Sequence, residues 1–303
     1  MRCAMADEVH EPMPAITERE RWPFMRLWLH CQMSLQGPSR QRLAALGLRM
    51  GCREMALARV DSPHYSERMV GLLALGFLQD RDSVPVLKVR LERGSNHSVI
   101  YAARAMLEID QVEHAAAVVK ALLACEELDF ALVSVLLKPF RPRLDAALMP
   151  VCPQLQVVLG EAPPFQAFQW LRLAQALKLQ VPQWRLAPFL SSAQHIEILI
   201  AAIRLVQGEQ GADAVACHAH HPDWRVRVQV ARALGRIGAL MHKPFLLGLL
   251  TDDQWWVRYR SAQALLQMPG MSCDQLLADV VATHDRYALS MFNAVCAEKE
   301  AIA

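Results

Sequence analysis

The densest group of donor side chains in this 303-residue chain is Cys217-His218-Ala219-His220-His221, with Asp223 and His242 nearby. Thiolate and imidazole are good zinc ligands. The spacing argues against that chemistry. No two of these residues stand in a C-x-x-C or H-x-x-x-H relation, and donors so crowded rarely converge on one ion without a second contributing segment. We expect a polar turn between repeats here, with no metal and no cofactor.

A second group carries charge. Arg225, Gln229, Arg232 and Arg236 are spaced 4, 3 and 4 apart, so they share one face of a helix. Trp256, Arg260, Gln263 and Gln267 occupy the same positions one repeat later, and His97, Tyr101, Arg104 and Glu108 four repeats earlier. Arg and aromatic residues in such a stripe suit a protein interface, and equally a single-stranded or phosphate ligand. The candidate interaction surface is Tyr101, Arg104, Arg225, Arg232, Arg236, Trp256 and Arg260. An ordinary solvated helix face is the competing reading. Arg227 and Arg258 differ, because each follows a buried-type Val a turn after an acid (Asp223 and Asp253); they are expected to form an Asp–Arg ladder between repeats. A further basic group, Arg40, Arg42, Arg49, Arg53 and Arg59, lies near the first helices.

Enzymatic motifs are missing. The chain has no G-x-S-x-G, no G-x-x-x-x-G-K-[ST], no G-x-G-x-x-G after a strand and no H-E-x-x-H. Its histidines are scattered and form no pairing with carboxylates that suggests acid–base chemistry. We expect a protein that is not an enzyme.

The elements that position the stripe come from an internal repeat. His221–Leu234 lies without a gap over Asp252–Leu265, with Val226 and Val257 31 residues apart. Ala103-Arg104-Ala105-Met106 matches Ala231-Arg232-Ala233-Leu234 at an offset of 128, and Ala74-Leu75-Gly76 matches Ala233-Leu234-Gly235 at 159. A unit this small must stack on copies of itself to bury its apolar face. Each unit reads as two helices. Pro244-Phe-Leu-Leu-Gly-Leu-Leu is a first helix with Pro in its opening turn. Asp252 and Asp253, like Asp223, are expected N-caps of the second helix. In that helix Val226, Val230, Ala233, Leu234 and Ile237 recur at steps of 3 and 4, which predicts one buried face. Alanines at 231, 233, 262 and 264 permit close approach of neighbours. No segment alternates as a strand does. The predicted fold is all-α, a right-handed α-solenoid of stacked helical hairpins of about 31 residues, with second helices lining the inner curve.

Composition agrees. Hydrophobic residues make up 53% and mean hydropathy is +0.15, as expected for helices sandwiched between neighbours. The longest apolar runs, such as Phe130–Leu137, are far below the roughly 20 residues of a membrane span. No signal pattern opens the chain, and eight dispersed cysteines read as small core residues in a reducing compartment, so the expected location is cytoplasmic. A net charge of +2 does not by itself imply nucleic acid. The predicted organisation is a disordered acidic tail (1–17), helical repeats (18–140), irregular Pro-rich repeats (141–183) and further helical repeats (184–303), in one continuous array.

The unit x-V-R-x-x-[AS]-A-x-A-L, with Asp ahead and Pro-x-Leu behind, resembles HEAT repeats of the short bacterial type, sometimes called phycobilisome-lyase-like. Trp28–Gly37, Gly71–Leu87 and Ala102–Asp110 also resemble bacterial HEAT proteins found beside membrane glycosyltransferases. Such relatives often begin with a transmembrane anchor, and none is expected here. The resemblance implies a scaffold that binds another protein along its concave face, as an accessory to such a system. Some HEAT-like proteins are DNA glycosylases with a basic groove, which makes nucleic acid the lesser alternative partner for the same Arg/Trp stripe.

Overall fold

A computed structural model of the chain describes residues 16–152, 164–191 and 194–302. Among the described residues there are 18 α-helices and no strand. The expected tail at 1–17 lies, up to residue 15, outside them, as does 153–163 of the Pro-rich segment. The chain divides into two compact units, Met1–Pro150 and Val151–Ala303, so the division falls inside the segment predicted to be irregular. No helix among the described residues is long and apolar enough to cross a membrane.

The N-terminal unit contains α1 (Glu18–Ser34), α2 (Pro38–Arg49), α3 (Cys52–Leu57), α4 (Tyr65–Phe77), α5 (Val84–Arg93), α6 (Asn96–Ile109), α7 (Gln111–Ala124), α8 (Phe130–Leu136) and α9 (Arg141–Leu148). The hairpins α3–α4 and α5–α6 follow the two-helix unit, while α7 packs between α6 and α9. Helices α4, α6 and α8 pack on one another in a row.

The C-terminal unit contains α10 (Pro164–Ala176), α11 (Gln183–Leu186), α12 (Ile196–Leu205), α13 (Ala212–Ala216), α14 (Trp224–Ile237), α15 (Lys243–Leu250), α16 (Trp255–Gln267), α17 (Cys273–Val281) and α18 (Arg286–Ile302). Here α10, α12, α14, α16 and α18 form the row, and α13, α15 and α17 pack beside their partners. Pro244 stands in the first turn of α15, where its missing N–H leaves no bond unmade. In α14 the residues Val226, Val230, Ala233 and Leu234 are buried as the spacing predicts, while Ile237, at the fraying end, is half-buried.

Second helices approach each other through glycine against alanine. A Cβ built on Gly235 would lie 2.5 Å from the Ala264 Cβ and 2.7 Å from its Cα, and one on Gly76 would lie 2.5 Å from the Ala105 Cα. No side chain fits in that space, so both positions require glycine. Both contacts span 29 residues, and 159 residues separate them, the offset seen in the sequence.

The turn before α4, α14, α16 and α18 also repeats. The backbone N–H of His64, Asp223, Gln254 and Asp285 donates to a side chain two residues back: Ser62, His221, Asp252 and Thr283. Four residues after that N–H, at Arg68, Arg227 and Arg258, an Nη1 donates to the two carbonyls ahead of the helix at 2.6–3.1 Å. The arginine therefore bolts the turn to the first coil of the helix.

One capping expectation is corrected here. Asp223 caps α14 by accepting the Arg225 N–H at 2.8 Å, but the N-cap of α16 is Gln254, with no side-chain cap. The ungapped repeat puts Gln254 over Asp223, so Asp253 falls outside the helix and Asp252 takes the Gln254 N–H at 2.8 Å. The Asp–Arg ladder has one rung in this register, Arg227 to Asp252; Arg258 has the Tyr287 ring beside it instead.

Candidate functional site

The Cys217–His221 donors diverge. His218 is buried with Nε2 2.8 Å from the Leu190 carbonyl, and His221 Nδ1 accepts the Asp223 N–H. His242 Nε2 lies 2.7 Å from Asp213 Oδ1, while Cys217 and His220 face solvent. Among the described residues no three such donors gather where a metal ion would sit. None of the seven described cysteines is bonded to another; Cys52 and Cys152 are buried, but Cys217 and Cys273 are exposed rather than in the core.

In the N-terminal unit the two predicted surface residues are engaged internally. Arg104 donates to the Leu136 carbonyl at 2.6 Å and to Glu108 at 3.1 Å, and its guanidinium lies over the rings of Phe77 and Phe140. Arg40 closes on the other oxygen of the same carboxylate at 2.6 Å and stacks on Phe77. One nearly enclosed Glu108 thus balances two guanidiniums. Burial draws the Arg104 pKa down and Glu108 opposes it. Tyr101 is half-buried against Tyr65, and burial raises its phenol. The early basic group is absorbed similarly: Arg53 pairs with Asp80, and Arg59 with Glu67.

The C-terminal unit presents the stripe differently. Arg225, Arg232, Arg236 and Trp256 are exposed and Arg260 is half-exposed. Gln229 is not on the surface; it is buried beneath Arg204, whose Nε donates to it at 3.0 Å. Arg225 is held by Asp223 and by Glu197 of α12, at 2.8 and 3.0 Å. Further along α14 the carboxylates stop. Arg236 donates to the Val206 carbonyl at 2.8 Å and Arg260 to Gln263 at 2.7 Å. Arg232 has no hydrogen-bond partner among the described residues. Arg232, Arg236, Arg260, Gln263, Ala264 and Gln267 line a shallow recess of about 310 Å³. Burial lowers the pKa of Arg204 and Arg236, and the positive charge of Arg232 lowers both further.

An aromatic cluster stands at the start of α16. Trp255 stacks on Tyr259 at 5.0 Å between ring centroids, and Trp256 meets Trp255 edge-on at 4.8 Å. Both tryptophans are about half-exposed, 48% and 51%, so this large apolar surface is left to solvent. Nothing in the residue spacing pointed to Arg204; its place beside Gln229 and near the charge of Arg232 depends on how α12 packs against α14.

These features define the class: an all-α repeat protein whose hairpins stack through small residues and whose variable side chains lie on one helix face. Residues 212–290, within the C-terminal unit, match the model of the HEAT-repeat family. The match is to HEAT repeats as such and does not single out the phycobilisome-lyase-like group. No curated protein matches the chain.

Proposed function

We propose that this protein is a non-catalytic cytoplasmic scaffold that binds a protein partner along the exposed second-helix face of its C-terminal unit. Arg225, Arg232, Arg236, Trp256 and Arg260 are the contact residues. Tyr101 and Arg104 hold the corresponding face of the N-terminal unit in shape. The observation that carries this reading is the half-exposed Trp255–Trp256 pair beside a run of arginines. Trp and Arg dominate the energetics of protein interfaces, whereas exposed aromatic surface without a partner is a liability. HEAT repeats commonly serve as interaction scaffolds, and the resemblance of Trp28–Gly37, Gly71–Leu87 and Ala102–Asp110 to proteins beside membrane glycosyltransferases supports an accessory role in such a system.

Affinity capture from extract of the native organism, with mass spectrometry, tests the proposal. A protein retained by the parent chain and lost with Trp256→Ala supports it; identical captures by both overturn it. A nucleic-acid binder using the same face is the second reading, favoured by the arginines that lack carboxylates. Mobility shifts at low and moderate salt decide, because phosphate contacts weaken steeply with salt.

A further inference from the structure

We propose that the recess between α14 and α16 receives an acidic segment of the partner, a short run of carboxylates followed by an apolar residue. This rests on the scaffold reading and specifies the partner's chemistry.

Arg204, Arg232, Arg236 and Arg260 touch no described carboxylate, and Glu197 acts on Arg204 only at longer range; the acceptors of Arg204, Arg236 and Arg260 are the Gln229 amide, the Val206 carbonyl and the Gln263 amide. Elsewhere arginines that reach between helices meet acids: Arg40 with Glu108, Arg53 with Asp80, Arg81 with Asp110, Arg227 with Asp252. The difference traces to one repeat position. Glu108 and Arg236 are equivalent at the offset of 128, so the neutralising carboxylate of one unit is a further guanidinium in the other. Like charges in a partly enclosed site repel one another, and an arriving carboxylate removes that repulsion. Guanidinium binds carboxylate through two parallel N–H bonds, which a water molecule cannot reproduce.

The surroundings favour a peptide over a polynucleotide. The uncompensated cations are few and confined to one short recess, enough for a few carboxylates and not for a polynucleotide chain. Gln263 and Gln267 offer amides to a peptide backbone. Trp256 lies one turn before Arg260, so an apolar side chain next to the acidic run meets an aromatic surface. From Trp256 to Gln267 the helix rises about 16 Å, matched by roughly five extended residues.

Fluorescence anisotropy with the full chain tests this. The probes are a labelled peptide of about a dozen residues, rich in glutamate with one leucine, its counterpart with glutamine for glutamate, and a labelled oligothymidylate. The acidic peptide is expected to bind at least about tenfold more tightly than the glutamine peptide and the oligothymidylate, and Arg232→Glu to lose that margin. Arg232→Gln is expected to weaken binding while its melting temperature stays level or rises, since it relieves repulsion without removing a partner. Equal binding of the two peptides, full binding by Arg232→Glu, tighter binding of the oligothymidylate, or a lowered melting temperature in Arg232→Gln overturns the proposal. If captured protein persists with Arg232→Glu and is lost with Trp256→Ala, the scaffold reading stands and the acidic segment falls.

Discussion

Arg227 grips Asp252 of the following repeat with two hydrogen bonds, Nε to Oδ2 at 2.6 Å and Nη2 to Oδ1 at 2.9 Å. Both side chains are largely enclosed, at 16% and 9% exposure. The same carboxylate accepts the Gln254 N–H, and the same guanidinium holds two carbonyls of its own turn. One ion pair therefore couples two turns and two repeats.

Removing Asp252 leaves a charged guanidinium enclosed without its counter-ion, which costs about 3 kcal/mol. Asp252→Ala is expected to lower the stability of the C-terminal unit by that amount in urea unfolding followed by tryptophan fluorescence. Asp252→Asn, which still accepts the Gln254 N–H, is expected to lose less.

Two glycines should respond to alanine with opposite signs. Gly235→Ala gains helix propensity of about 1 kcal/mol but forces apart two helices in contact, at a cost of about 1–3 kcal/mol or more. With a Cβ at 2.5 Å from Ala264, overpacking wins and the melting temperature falls. Gly248, in α15, has nothing within 4 Å of an added Cβ, so Gly248→Ala is expected to raise stability by about 0.5–1 kcal/mol. A rise in both variants would disprove the close-packing account.

The capping aspartates set the acid limb of stability. Asp110 accepts the N–H groups of Val112 and Glu113 at 3.1 Å, and the bond from Glu113, then that from Val112 and the charge of Arg81, hold its carboxyl below the usual range. A depressed pKa gives stability that is present above the unfolded value, near 3.9, and lost as pH falls through the folded one. Asp110→Asn keeps a capping oxygen without the titration, so its stability is expected to vary less with pH below about 4 than the parent's. Circular dichroism across an acid series measures this.

Thiol reactivity should sort by environment. Burial pushes the Cys52 thiol up to about 12, so it stays protonated and enclosed. Cys217 and Cys273 are exposed. Brief iodoacetamide treatment of the folded chain at pH 8, read by peptide mass spectrometry, is expected to label Cys217 and Cys273 and spare Cys52; labelling of Cys52 at a comparable rate would show the first hairpins open.

The repeat was legible because burial of Val226 and Val257 and the tight seats at Gly76 and Gly235 constrain residue type at fixed intervals. Pro244 likewise marked its helix, since a proline in the opening turn leaves no hydrogen bond unmade. What stayed hidden depends on contacts between helices. Arg68 does the same work as Arg227, yet no acid of the next repeat advertises it. Asp253 looked as suitable a cap as Asp223 by residue type, although the repeat register, which sets Gln254 over Asp223, already places it outside the helix. Tyr101 and Arg104 share the register of the C-terminal stripe, but the position of Glu108 decides that Arg104 turns inward. Periodicity gives the face of a helix; what that face meets is a matter of tertiary packing.

The glycine–alanine seats also constrain how such a chain can grow or shrink. Each seat needs a glycine from one hairpin and an alanine from the next, at the same separation in both units. Duplicating the hairpin that carries Gly235 would set the new glycine against Ala264 and the copy of Ala233 against the old one, whereas deleting the hairpin that carries Ala264 would bring Val295 to the seat. At this joint the array can lengthen by a whole hairpin more easily than it can shorten by one.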